Sequence, residues 1–306
     1  MLTRRNAIAA TVVAALFAVA PAPAQDQPKD KLKVIASFSI LGDLVKNVGG
    51  DRVEVGTLVG ANGNAHVYAP SPADAKRVAD ARLVFVNGLG FEGWLERLVK
   101  ASGTKAPVIV ATKGIKPRAR AAERGHDHGH GQADPHAWQS VANAKIYVGN
   151  IRDALIAADP AGKAAYEANA ATYLAKLDAL EREVRDVIAK IPADRRKLIT
   201  SHDAFGYFGA AYGIAFIAPQ GVSTEAEASA RDVATIIAQM RKQKIAAVFL
   251  ENVTDPRLVQ QIARETGAKI GGTLYSDALT DDKGDATTYI DLIRHNLKQL
   301  AAALVS

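Results

Sequence analysis

An apolar repeat with spacings of three and four residues runs through the middle of this chain, over residues 160–191. The repeat comprises Tyr166, Ala170, Tyr173, Leu174, Leu177, Leu180, Val184, Val187, Ile188 and Ile191. Such spacing marks one face of a single helix. At ~1.5 Å per residue, about 30 residues span roughly 45 Å, which exceeds a small lobe. A long surface helix of one domain is one interpretation, and the length favours the other, a rigid rod that joins two lobes.

Strands and helices alternate on both sides of this repeat. Ser71-Pro72, followed by Asp74, has the pattern of a capped helix start. Alternation of this kind is typical of mostly parallel sheets covered by helices. We therefore expect an α/β protein with two lobes of mainly parallel sheet and flanking helices, joined by one long rigid helix. The predicted strands lie at 33–38, 53–59, 83–86, 108–111, 197–200, 214–217, 246–250 and 269–274.

The first residues have the pattern of an export signal. Arg4 and Arg5 precede an apolar run over 7–20, and Ala22-Pro23-Ala24 supplies small residues before a cleavage site. The run is too short to span a bilayer, so we expect a cleaved signal peptide rather than a retained anchor. The predicted segments are a signal peptide at 1–24, an N-terminal lobe at 25–158, a linking helix at 159–192 and a C-terminal lobe at 193–306.

Composition excludes several classes of protein. The chain has no cysteine, so it can form no disulfide framework, no thiolate metal site and no lipid anchor on an N-terminal cysteine. We expect a protein that is free in the periplasm. The net charge of +6 comes from interspersed residues, a pattern that predicts no nucleic-acid partner.

Three of the seven histidines fall where a ligand could be bound. His66 follows the second predicted strand, His202 follows the strand at 197–200, and His136 precedes a helix. In parallel α/β sheets, ligands bind beyond the carboxyl ends of the strands. These positions are compatible with two interpretations. The three histidines bind one metal together, or they lie in separate loops and have no common role. His295 lies in an amphipathic helix at 288–304, where we expect an ordinary surface role.

A run of alternating histidines lies within a segment that lacks any apolar period. His126, His128 and His130 are separated by single residues inside the Gly-, Ala- and Arg-rich stretch 113–133. Such a stretch is typical of a flexible loop, and alternating histidines can chelate a divalent ion. We expect an auxiliary metal-binding loop here. The glycines show no phosphate-loop spacing, and there is no catalytic serine elbow.

Several motifs together give the chain a specific resemblance. It resembles the zinc and manganese solute-binding proteins of ABC transporters, called cluster A-I, and particularly the zinc-specific branch found with some periplasmic metallochaperones. The similarity covers the chain from Lys33 to the C-terminal helix. It is carried by the stretches ASFSILGD at 36–43, HVYAPSP at 66–72, DPHAW at 134–138, SHDAFGYF at 201–208, PQGVSTE at 219–225 and LYSDAL at 274–279.

The resemblance implies a metal in a cleft between the lobes, with two ligands from each. Carried over by motif, these are His66 and His136 from the first lobe, and His202 and Asp277 from the second. The assignment of Asp277 rests on the Tyr-Ser-Asp-Ala-Leu stretch alone. One zinc-binding pattern of the family has an acidic residue before the first histidine, and this chain has Ala65 there.

Three imidazoles and one carboxylate form a donor set that suits tetrahedral Zn²⁺. Manganese favours more oxygen, and a manganese-binding protein of the same family is the alternative. The resemblance implies a monomer that delivers Zn²⁺ to the membrane permease of an ABC importer, with a periplasmic metallochaperone as a candidate donor. A zinc-dependent hydrolase using the same ligands, and a metal buffer without a transport partner, are further alternatives.

Overall fold

The structure is a computed structural model that describes residues 31–119, 133–245 and 247–305. The predicted signal peptide and the histidines at 126, 128 and 130 lie outside these ranges. The first described part contains strands β1 (Leu32–Phe38), β2 (Val53–Val59), β3 (Leu83–Val86) and β4 (Val108–Val110), and helices α1 (Ser39–Gly49), α2 (Pro72–Asp80) and α3 (Leu95–Ser102). Helices α4 (Val141–Ala158) and α5 (Lys163–Ala189) follow. The remainder contains β5 (Lys197–Ile199), α6 (Gly206–Tyr212), β6 (Ala215–Ile217), α7 (Ala230–Gln243), β7 (Ala247–Glu251), α8 (Arg257–Thr266), β8 (Lys269–Leu274) and α9 (Tyr289–Leu304).

Two four-stranded sheets form the two lobes. The strand orders are β2-β1-β3-β4 and β6-β5-β7-β8, and every pairing between these strands is parallel. The central strand β3 is buried along its whole length, as expected for a parallel sheet with helices on both faces. The predicted alternation of strands and helices is therefore confirmed, and the carboxyl ends of the strands are free to carry a site.

Helix α5 is the long helix that the apolar repeat predicts. It contains 27 residues, which span about 40 Å, and a 3₁₀ turn at Pro160–Gly162 precedes it. Its buried face packs against α1 and α4 of the first lobe and against α6 and α9 of the second. Because the same helix is in the core of both lobes, it braces them against wide separation.

Local capping explains where other helices begin. Ser71 and Asp74 form a capping box at the start of α2, with Pro72 in the first turn. Ser229 and Asp232 form the same arrangement at the start of α7. These reciprocal hydrogen bonds satisfy backbone donors that a helix start leaves free. The loop before α2 is thereby fixed, and that loop carries His66.

The apolar core is continuous between the lobes. One cluster of buried side chains runs from the first sheet through α5 to α9, and it includes Phe38, Trp138 and Tyr289. A second cluster, containing Ile237 and Val259, lies between the second sheet and helices α7 and α8. A shared core of this kind resists hinge opening because opening would expose apolar surface. In the part of the chain that the structure describes, no helix is long and apolar enough to cross a membrane.

Candidate metal centre

The structure brings together the four side chains that the sequence and the resemblance pointed to. His66 lies in the connection after β2, and His136 lies in the connection that leads to α4. His202 follows β5, and Asp277 follows β8. His66 is 5% exposed and the other three are fully buried. The carboxyl ends of strands from both sheets thus face one another across a single small space.

The donor atoms are close enough to share one ion. Nε2 of His66 lies 3.3 Å from Nε2 of His136 and 3.2 Å from Oδ2 of Asp277. Nε2 of His202 lies 3.2 Å from the same oxygen, and Nε2 of His136 lies 3.5 Å from Oδ1. One ligand atom from each residue lies within 4.8 Å of all the others. A tetrahedral ion with bonds of ~2.0–2.2 Å separates its ligands by about 3.3–3.6 Å, which these distances match.

Carboxylates outside the cluster orient two of the imidazoles. Oδ1 of Asp134 lies 2.9 Å from Nδ1 of His136, and it also accepts a hydrogen bond from the backbone N–H of His136. Oε2 of Glu251 lies 2.5 Å from Nδ1 of His202. An acceptor at Nδ1 keeps the proton there and leaves the Nε2 lone pair directed at the shared space. Both rings are therefore oriented with Nε2 toward the shared space.

Glu251 also fixes the backbone that carries His202. Its other oxygen, Oε1, accepts hydrogen bonds from the backbone N–H groups of Ser201 and His202 at 2.7 and 2.9 Å. Glu251 is the last residue of β7 and is buried. The carboxylate therefore links the neighbouring strands β5 and β7 where they reach the cluster.

The electrostatics of the cluster favour a charged Asp277. Burial alone would raise the pKa of Asp277, but the imidazoles of His202 and His136 outweigh burial and hold that pKa well below its usual range. Burial lowers the pKa of His66. Burial also opposes the charged form of His202, yet Glu251 and Asp277 together hold its pKa well above the ordinary value. Without a metal, the positively charged form of His202 is therefore favoured beside Glu251 and Asp277.

Several buried polar atoms in the cluster are incompletely satisfied. Both carboxylate oxygens of Asp277 and Nε2 of His202 have no hydrogen bond of good geometry to the residues that the structure describes. Buried polar atoms normally have a partner. A cation placed among the four donor atoms would satisfy Nε2 of His202 and an oxygen of Asp277 at once, so the donor set fits a divalent metal ion.

Aromatic rings enclose the cluster. Phe91 packs edge-on against His66 with 4.8 Å between ring centroids, and Trp138 packs against His136 at 5.3 Å. The indole N–H of Trp138 donates to the backbone carbonyl of Ser276 at 2.9 Å, one residue before Asp277. This shell excludes water from one side of the site and holds the Asp277 loop against the first lobe.

The sequence did not single out the orienting carboxylates. Asp134 stands in the quoted DPHAW stretch, where its position two residues before His136 was a usable signal. Glu251 directly follows the strand predicted at 246–250, and a charged residue at the carboxyl end of a parallel strand is the only hint of its role. Ala65 is fully buried, and its backbone carbonyl accepts a hydrogen bond from Trp94.

The expected surface role of His295 is wrong. This residue is only 9% exposed, its Nδ1 lies 2.8 Å from Oδ2 of Asp285 and its Nε2 lies 2.8 Å from the carbonyl oxygen of Thr273. It also stacks on Tyr275, with ring centroids 4.1 Å apart. The loop before α9 covers this part of the helix, and helical periodicity gives no sign of that loop. His295 lies outside the group of four.

Comparison with known proteins agrees with this geometry. Residues 34–303 match the family model described as zinc-uptake complex component A, periplasmic (ZnuA). The iron-binding protein YfeA of Yersinia pestis is 36% identical over 281 residues, which cover 91% of this chain and 89% of YfeA. The manganese ABC transporter substrate-binding lipoprotein PsaA of Streptococcus pneumoniae is 31% identical over 296 residues, 94% of each chain. The periplasmic zinc binding protein TroA from Treponema pallidum superposes with a TM-score of 0.84 at 29% identity, over 90% of this chain and all of TroA.

The names of these three relatives specify three different metals, so the zinc-specific branch does not follow from them. All three names describe a protein that binds or transports a metal. Members of this family work with the permease and ATPase components of ABC transporters and are not enzymes, which removes the hydrolase alternative. The chain belongs to the ZnuA family of periplasmic metal-binding components of ABC transporters.

Proposed function

We propose that this protein binds one Zn²⁺ ion as cargo through His66, His136, His202 and Asp277, and delivers it to the membrane permease of an ABC importer. The observation that carries the proposal is the convergence of three imidazole nitrogens and one carboxylate within 4.8 Å. Their number and type match the complete ligand set of a tetrahedral zinc ion. A complete set leaves no position for an activated water, as suits a carrier.

The choice of zinc over manganese rests on the donor atoms. Three of the four donors are nitrogens, and imidazole suits zinc, whereas carboxylate, carbonyl and water suit manganese. Asp277 is the one carboxylate in the group of four, and Asp134 and Glu251 are occupied by the Nδ1 atoms of two histidines. Manganese would gain additional oxygen only if Asp277 bound through both of its oxygens. Manganese binding by the same four residues is the alternative.

We also propose that the mature protein is free in the periplasm and acts as a monomer. The relative PsaA is named a lipoprotein, whereas this sequence contains no cysteine to which a lipid could be attached. The expected domain limits at 25–158, 159–192 and 193–306 belong to this proposal. A periplasmic metallochaperone is the proposed metal donor, and the segment with His126, His128 and His130 is the proposed point of capture.

Elemental analysis and calorimetry test the proposal. The mature protein is purified without a metal-affinity tag, and its metal content and its Zn²⁺ and Mn²⁺ affinities are measured. We expect one Zn²⁺ per chain, tighter binding of Zn²⁺ than of Mn²⁺, and severe loss of affinity in His66→Ala, His136→Ala and His202→Ala. His295→Ala is the matched control, because it removes a buried, carboxylate-paired histidine outside the group of four. Undiminished affinity in all three ligand variants would refute the proposal.

A further inference from the structure

The side chain of Asn64 connects the two lobes at the site. Its Oδ1 accepts a hydrogen bond of 3.0 Å from the backbone N–H of His66, within the first lobe. Its Nδ2 lies 2.9 Å from Oγ1 of Thr224 and donates to the carbonyl oxygen of Val253 at 3.2 Å. Thr224 also donates to Oδ1 of Asn64 at 3.2 Å. One amide group therefore contacts His66 on one side of the cleft and two segments of the second lobe on the other.

The segment that carries Thr224 is itself coupled to His202. Gln220 forms a parallel bridge with His202, and the backbone N–H of Gln220 donates to the carbonyl oxygen of Ser201 at 3.4 Å. The side chain of Gln220 then donates to the carbonyl oxygen of Ala226 at 2.6 Å, which closes the loop around Thr224. Hydrogen bonds thus link the backbone of His66 to Asn64 and Thr224, and the loop that carries Thr224 is itself hydrogen-bonded to the backbone beside His202.

We propose that the hydrogen bonds between Asn64 and Thr224 form a latch that sets the rate at which the bound metal leaves. The inference rests on the proposed function, because it requires His66 and His202 to bind the same ion. The metal cannot leave until both of these ligands have released it. The latch ties their loops together, and both of its side chains are half-buried, within reach of a permease or of solvent. Asn64 and Thr224 are positioning residues, since neither has a place in the metal's own ligand set.

The latch can be removed without changing the ligands. Thr224→Val keeps the shape of the side chain but cannot hydrogen-bond, and it leaves the contact between Asn64 and His66 intact. The two hydrogen bonds of the Thr224 hydroxyl contribute about 1 kcal/mol net each at most, so we expect zinc to dissociate about five- to thirtyfold faster from Thr224→Val. Thr224→Ser keeps the hydroxyl group and should restore the original rate. The measurement is loss of Zn²⁺ from the loaded full-length mature protein to excess EDTA.

A double variant separates the latch from a general loosening of the fold. If Thr224 acts through Asn64, then Asn64→Ala with Thr224→Val should release zinc no faster than Asn64→Ala alone. Thr224→Ala serves as a second test should Thr224→Val fail to fold. An unchanged rate in Thr224→Val, with one tightly held zinc in the unaltered protein, would overturn the latch. The proposed function would instead be overturned if the unaltered protein did not hold one zinc ion, or if His202→Ala held that ion just as well.

Discussion

Oδ2 of Asp43, in helix α1, accepts a 2.9 Å hydrogen bond from the backbone N–H of Tyr289, the first residue of α9. The bond joins helices of the two lobes. Asp43 also accepts a hydrogen bond from Asn47 at 3.0 Å. Even so, burial raises the pKa of Asp43 from 3.8 to about 6, because the hydrogen bonds only partly offset the loss of water.

This raised pKa predicts that the stability contributed by Asp43 is lost as pH rises from about 4 to about 6. In that window the folded state holds a proton on Asp43 that the unfolded state has released, so stability falls with rising pH. The shift corresponds to about 3 kcal/mol. Asp43→Asn should remove this component of the pH dependence, because asparagine retains an acceptor for Tyr289 without titrating.

The measurement is the free energy of urea unfolding of the metal-free protein and of Asp43→Asn at several pH values. Other carboxylates contribute equally to both proteins, so the difference between the two curves isolates Asp43. Parallel curves across the window would show that Asp43 is not the group responsible.

Zinc binding should release a proton from His202. Burial opposes the charged form, but Glu251 and Asp277 raise the pKa of His202 well above its usual value, so the metal-free ring is protonated near neutral pH. Zinc requires neutral imidazole. We expect affinity to rise up to tenfold per pH unit for each proton released, and to fall as pH drops. Calorimetry at pH 7 in two buffers of different ionisation enthalpy counts the protons. Identical heats in both buffers would contradict this prediction.

Glu251 should matter to the metal although it lies outside the group of four. Glu251→Gln retains an acceptor for the backbone N–H groups of Ser201 and His202 but removes the charge beside Nδ1. Loss of such an orienting partner typically weakens metal binding by about 10- to 100-fold.

A zinc-chelator competition assay measures this loss in Glu251→Gln. Asp178→Asn, which alters an exposed carboxylate paired with Lys145 on the linking helix α5, is the control and should bind zinc normally. Equal affinity in both variants would mean that Glu251 serves the fold alone.

The histidine run should affect how fast metal is captured rather than how tightly it is held. His130 lies six positions before His136 in the sequence, so metal bound by the run would be presented to the four-residue site at an effective concentration on the order of millimolar. Deleting residues 126–130 should slow zinc uptake from dilute solution and leave the affinity of the four-residue site nearly unchanged. Stopped-flow uptake with a fluorescent zinc indicator measures the rate, and loss of tight binding on deletion would contradict this division of labour.

The strands and helices could be predicted because local chemistry determines them. The predicted strand at 53–59 matches the bounds of β2, and the capping pattern of Ser71 with Asp74 predicted the start of α2. Pairing between distant segments has no such local signal. Asp277 was found through a family motif, since an acidic residue after a strand is usually solvated. This one is buried, and Trp138 and Gln139 hold its loop against the first lobe through hydrogen bonds to the carbonyl oxygen of Ser276. The buried contacts of His295 and the role of Glu251 escaped prediction for the same reason.

Three imidazoles and one carboxylate should surround a single ion. X-ray absorption at the zinc edge, on protein lacking residues 126–130 and loaded with one equivalent of Zn²⁺, measures this coordination. We expect four light-atom ligands at about 2.0–2.1 Å, with outer-shell scattering from three imidazole rings that falls to two in His202→Ala. A shell of six oxygen-dominated ligands, or imidazole scattering unchanged in that variant, would contradict it.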